Sequence, residues 1–128
     1  MKRISVPDLV WLNAAVVGQT GGVTGILDAG ALEAAVARPD AGYGGRQLFP
    51  TSFDKAAALL DSVIQRHPFV DGNKPTGLLA GAALLYLAGY DLAAPREEVV
   101  EVPVALAEHK ITAEELSRWF ERHARQRA

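Results

Sequence analysis

Apolar side chains recur every three to four positions along nearly the whole chain, with polar ones between them. That period is the signature of helices with one face turned to a core. Residues 6–17 make the first predicted helix, with Pro7 and Asp8 in its opening turn and Leu9, Leu12 and Val16 on one stripe. Residues 18–25 are rich in glycine and predict a loop. A second helix is predicted over 28–36, carrying Leu32, Ala35 and Val36 on one side. Arg38-Pro39 ends it, because the residue before a proline is pushed out of the helical region. Residues 40–50 set Gly42, Gly44, Gly45 and Pro50 around Tyr43, Leu48 and Phe49, a pattern suited to a short hairpin or flap. Thr51 or Ser52 can cap a third helix, whose Phe53, Ala57, Leu60, Ile64 and His67 share one face until Pro68 stops it.

Residues 75–90 carry no charge, but they fall short of the roughly 20 residues that cross a bilayer. Gly77, Gly81 and Gly89 interrupt them. They predict a helix buried in the middle of a soluble domain, beginning near Lys74, with Gly77-x-x-x-Gly81 allowing close packing. Residues 96–108 are predicted helical, with Pro103 kinking or splitting the helix. Thr112-Ala113-Glu114-Glu115 is a capping box, and Leu116, Trp119, Phe120 and His123 form the stripe of a last helix. Strand signals are almost absent. The expected class is all-α, in a single domain over residues 1–128.

Composition narrows the function. Of 128 residues, 49% are hydrophobic and 22% charged, enough for a sizeable core. The absence of cysteine excludes disulfides and thiolate metal sites and leaves the cytoplasm as the default location. Thirteen basic against fifteen acidic residues give a formal charge of −2, so no general attraction to nucleic acid or to an anionic membrane is expected. The start, Met1-Lys2-Arg3-Ile4-Ser5, has no apolar stretch or small-residue cleavage site, and no signal peptide is expected.

Chemistry concentrates in His67-Pro68-Phe69-Val70-Asp71-Gly72-Asn73-Lys74, between two predicted helices. The free N–H groups and positive dipole end of the second helix point into this loop, which is how helices bind anions. Histidine is the side chain that titrates around neutral pH, so His67 can take a proton from a hydroxyl. Asp71 offers a hard oxygen to Mg²⁺ on phosphates, and Lys74 a point charge for phosphate. The set reads as a phosphoryl or nucleotidyl transfer site. Each residue also has a plainer reading: Asn73 as a helix N-cap, Gly72 as a turn, His67 as a helix terminus.

This segment resembles the core motif of the Fic/Doc family, and the lysine after the asparagine resembles its Doc (death-on-curing) branch. The resemblance extends to Gly25-Ile26-Leu27-Asp28, Ala37-Arg38-Pro39, Tyr43-Gly44-Gly45, Phe49-Pro50-Thr51, Lys55-Ala56-Ala57-Ala58-Leu59-Leu60 and Ala105-Leu106-Ala107-Glu108. It implies a compact α-helical core with a central buried helix after the motif loop. It also implies a toxin that binds ATP with Mg²⁺ and moves the terminal phosphate to a threonine of elongation factor Tu, arresting translation. A small antitoxin, Phd-like or otherwise, would be its partner. By position, His67 would be the general base, with Asp71 and Lys74 completing the catalytic set. Asp71 would bind the metal directly or through water. Gly72, Asn73, Lys74 and Thr76 would hold the nucleotide, and Phe69 would be buried to fix the loop. Residues 43–49 would be the flap that docks the target.

The resemblance breaks at position 75, where the family has arginine and this chain has Pro75. Proline is tolerated in a helix's first turn, so the fold should survive. It supplies no guanidinium fork and no N–H, so phosphate binding should weaken. Pro75 is therefore expected to impair the chemistry, as an inactivating substitution or as natural divergence. A catalytically inactive binding module and an AMP transferase are the alternatives, the latter disfavoured by Lys74. Elsewhere, His109 and His123 are expected at the surface and Trp11 and Trp119 in the core or a groove. Arg118, Arg122, Arg125 and Arg127 are expected on a solvated face.

Overall fold

A computed structural model describes residues 3–128; Met1 and Lys2, which open the stretch weighed for a signal peptide, lie outside the described residues. The helices are α1 (Val6–Thr20), α2 (Ala29–Ala37), α3 (Ser52–Arg66), α4 (Asn73–Leu87), α5 (Arg96–Ala107) and α6 (Ala113–His123). Their starts are written in the sequence. Capping boxes pair Ser5 with Asp8, Thr51 with Asp54 and Thr112 with Glu115, so each side chain satisfies a backbone N–H that the first turn leaves free. Asp28 caps α2 by accepting from the Ala31 N–H. Gly21 ends α1 in the left-handed conformation, three residues later than the glycine content of residues 18–25 predicts.

The expected all-α class holds. The core is built on α3, which packs against α2, α4, α5 and α6. Buried Ala56–Leu60, Val63 and Ile64 leave it almost no solvent face, so α3 shares the centre with the predicted buried helix α4. The two come close because α4 has glycine where they meet. A Cβ on Gly77 would lie 2.7 Å from Leu60 Cδ1, and one on Gly81 2.9 Å from Phe120 Cζ. Among the described residues no helix is long and apolar enough to cross a membrane.

Several expectations change. The apolar run yields a helix only to Leu87; Tyr90–Leu92 then forms β3, pairing antiparallel with β4 (Ala124–Gln126) in the basic tail. Three-residue strands with one exposed face carry too short an alternation to read. Pro103 neither ends nor splits α5; its ring is buried in the core, and that packing offsets the missing hydrogen bond. His123 is half-buried, with Nδ1 2.9 Å from the Trp119 carbonyl and Nε2 3.8 Å from Glu98. Trp119 is buried, whereas Trp11 is 70% exposed at the wall of a groove with Leu12, Ala83 and Tyr86.

Between α2 and α3 the chain makes a 3₁₀ turn (Arg38–Asp40) and then the predicted hairpin. β1 (Gly42–Tyr43) pairs with β2 (Arg46–Gln47) in the register Gly42↔Gln47, Tyr43↔Arg46. Gly44 and Gly45 both have positive φ, the backbone a two-residue turn of the right twist needs.

Candidate functional site

The site is the loop that joins α3 to α4. α3 ends at His67, which takes the left-handed conformation (φ 51°, ψ 59°) while its N–H still bonds to the Val63 carbonyl at 3.1 Å. His67 therefore leaves the buried face on which its spacing puts it, and its side chain is exposed. Pro68 and Phe69 then turn inward and are buried. Asp71 returns to the surface. Loop and helix thus expose an imidazole and a carboxylate on either side of an apolar plug.

The plug is pinned from three directions. Asn73 closes a ring with Phe69: the Phe69 N–H donates to Asn73 Oδ1 (3.0 Å), and Asn73 Nδ2 donates to the Phe69 carbonyl (2.9 Å). Asn13, buried on α1, donates to the Asp71 carbonyl at 2.8 Å and to Thr76 Oγ1 at 3.2 Å. The segment before α2 runs alongside, with a bridge between Ile26 and Phe69 and a bond from the Val70 N–H to the Gly25 carbonyl (3.0 Å). Leu27 N–H donates to the Pro68 carbonyl at 2.7 Å. Asp71 Oδ2 accepts from the Val23 N–H at 2.8 Å, which orients the carboxylate.

Gly72, not Asn73, is the N-cap of α4. Its φ of 79° favours glycine, and a Cβ there would meet Asn13, Val16 and Val17 at 3.3 Å. Asn73 is the first helical residue and its side chain is buried in the ring with Phe69. The reading of Asn73 as the helix N-cap is corrected accordingly. Thr76, expected to help hold the nucleotide, is fully buried and its Oγ1 accepts from Asn13.

What remains at the surface is specific. The Thr76 N–H makes the first bond of the α4 ladder, to the Gly72 carbonyl at 2.9 Å. Among the described residues the N–H groups of Gly72, Asn73 and Lys74 have no partner. Lys74, His67 and Asp71 on the same loop are exposed. Pro75, exposed next to Lys74, adds neither donor nor charge; its ring lines an apolar groove with Leu79, Val100 and Val104. The donor set fits a polyphosphate: free N–H groups and one ammonium for oxygens. One carboxylate suits Mg²⁺, which takes most of its ligands from phosphate and water. No cluster of three or more metal-ligating side chains occurs among the described residues.

Asn13 escaped sequence reasoning. Its signal is there in retrospect: an amide on the apolar stripe of α1, between Leu9 and Val16, where an unpaired polar group would be costly.

The family model described as "Fic/DOC family" matches residues 3–85. A protein of Mycolicibacterium smegmatis (strain ATCC 700084 / mc(2)155) described as "Toxin Doc" is 47% identical over 74 residues. That match covers 58% of this chain, and the chain spans 57% of the length of that relative.

Proposed function

Because this chain belongs to the Fic/DOC family, we propose that it is a Doc-like toxin of a toxin–antitoxin system, built to move the terminal phosphate of ATP to a threonine of elongation factor Tu. The observation that carries this reading is one loop, locked by Phe69, Asn73 and Asn13, that holds both the exposed His67 and the partnerless N–H groups of Asn73 and Lys74. A rigid base next to an oxyanion cradle is what transfer to an alcohol needs. His67 takes the proton of the attacking hydroxyl as its oxygen bonds to the γ-phosphorus and the bond to the β-phosphate oxygen breaks. The Gly72–Lys74 N–H groups and the Lys74 ammonium hold the phosphate oxygens in place. Asp71, oriented by the Val23 N–H, is the residue that would hold Mg²⁺; when bound, the ion would neutralise phosphate charge. A short antitoxin is the proposed partner and the cytoplasm the proposed compartment.

Pro75 bears on the rate. It occupies the third helical position, the last at which a missing N–H breaks no bond of the α4 ladder, so α4 forms regardless. The cost falls on the ligand, since one donor of the cradle and the family's guanidinium are both lost. Losing a transition-state donor of this kind slows transfer by about 10²–10³. Pro75 also favours the second reading, a binding module that keeps the fold and its partner without the chemistry. Pro75 is exposed, so arginine fits there without repacking.

Labelled ATP and elongation factor Tu separate these readings. Label from the γ-position should reach the target, faster by about 10²–10³ with Pro75→Arg and not at all with His67→Ala. Transfer from the α-position would make the protein an AMP transferase. Absence of transfer even with Pro75→Arg would leave the binding module.

A further inference from the structure

The β1–β2 hairpin is too small to hold its own shape. It has two cross-strand pairs, and every residue from Gly42 to Leu48 is exposed, Tyr43 by 85%. Hairpins of this size are marginal in water unless something else fixes them. The fixing group lies beneath them, on α3. Lys55 is buried, an unusual place for a lysine. Its ammonium has three N–H donors, and all three end on the segment that contains the hairpin. Nζ donates to the Pro39 carbonyl before it (3.3 Å), to the Phe49 carbonyl after it (2.6 Å), and to Gln47 Oε1 on β2 itself. Among the described residues no carboxylate lies within ion-pair distance of Lys55. The charge is thus satisfied by neutral oxygens of one loop, gathered from its two ends and its second strand. Arg38 over the Phe49 ring at 4.9 Å and the Leu48 N–H on the Ala41 carbonyl at 3.0 Å also join the two ends of the loop, but both lie within that segment, whereas Lys55 ties it to α3.

We propose that Lys55 is a positioning residue that fixes the pose in which the β1–β2 hairpin meets the protein target. The proposal rests on the function proposed above and on the docking role that the family resemblance implies for residues 43–49. Both outer edges of a two-stranded ribbon carry unpaired N–H and C=O groups, which an extended target segment can extend as a third strand. Such an edge selects a register only if it stands still. Lys55 stands on the helix that ends at His67, about 18 Å further along at 1.5 Å per residue. One rigid rod therefore sets the spacing between the docking edge and the proposed base. A lysine that merely stabilised the fold would act on every region alike; this one should act on the hairpin and on target recognition.

The test uses the full chain carrying Lys55→Met, Lys55→Arg or Gln47→Leu. Trypsin cleavage after Arg46 reports opening of the hairpin, and cleavage after Arg66 is the internal control. Lys55→Met should speed cleavage after Arg46 about tenfold or more and leave Arg66 unchanged, because proteolysis follows the population of the open form. In the Pro75→Arg background it should raise KM for elongation factor Tu by about tenfold and leave KM for ATP unchanged. Lys55→Arg should restore most of both. Gln47→Leu alters only an exposed side chain and should give the same pattern more weakly, which answers the question if Lys55→Met does not fold. Unchanged cleavage after Arg46 in both variants overturns the proposal, as does an opened hairpin with an unaltered KM for the target. If Pro75→Arg transfers no phosphate at all, the function proposed above fails instead, and the Arg46 cleavage still decides whether Lys55 holds the hairpin.

Discussion

Asn13 donates both of its amide hydrogens across the core, one to the loop at Asp71 and one to Thr76 on α4. Truncating it leaves the Asp71 carbonyl short of a donor and frees the loop beneath the carboxylate. Asn13→Ala should lower the unfolding free energy by about 1–3 kcal/mol, read from the urea midpoint. Residue chemistry was unevenly legible. His67, Asp71 and Lys74 could be picked out because exposed polar groups crowd one short segment. Asn13 could not, because its partners lie far away in sequence and only folding brings them together. For the same reason the burial of the Asn73 and Thr76 side chains was not legible: sequence gives a side chain's chemistry, while its direction is set by packing.

At the scale of elements the helix starts were the most legible features, since a cap and its partner sit three residues apart. The Thr51–Asp54 box of α3 also has a pH signature. Burial raises the affinity of the Asp54 carboxyl for its proton, but the Ser117 hydroxyl at 2.7 Å, both Thr51 donors and the neighbouring Lys55 charge outweigh it. Its pKa is held below the ordinary carboxylate value. A carboxyl depressed on folding stabilises the protein above its unfolded pKa, and that stability is lost as pH falls through the folded one. The stability gap between the parent and Asp54→Asn should therefore be full at pH 7. It should shrink in chemical denaturation as pH falls below the ordinary carboxylate value of about 4. A gap that persists at the acid end would assign the effect to packing. The short strands β1 to β4 carry no comparable local mark. The hairpin was legible from its paired glycines, but β3 and β4 exist only because the chain's tail returns to the end of α4.

Over the whole molecule, the order of helices followed from periodicity, whereas the shared centre of α3 and α4 did not. Both helices are apolar enough to be central, and only the contact at Gly77 shows how closely they approach. Gly77→Val puts side-chain atoms where Leu60 and Val63 stand, forcing α4 away from α3 and the loop between them out of shape. Overpacking of this kind costs about 1–3 kcal/mol, to be read as a lower Tm, and binding of ATP should weaken with it. The apolar run over 75–90 contributes to a helix of 15 residues, α4, which ends at Leu87.

The backbone at His67 has a consequence for any attempt to harden this protein. A left-handed bend costs a histidine of the order of 1 kcal/mol that glycine would not incur. A screen that rewards heat resistance alone should therefore return His67→Gly early, as a chain that melts later and carries no phosphate. On the proposed function, thermal robustness and phosphate transfer are set against each other at one dihedral angle.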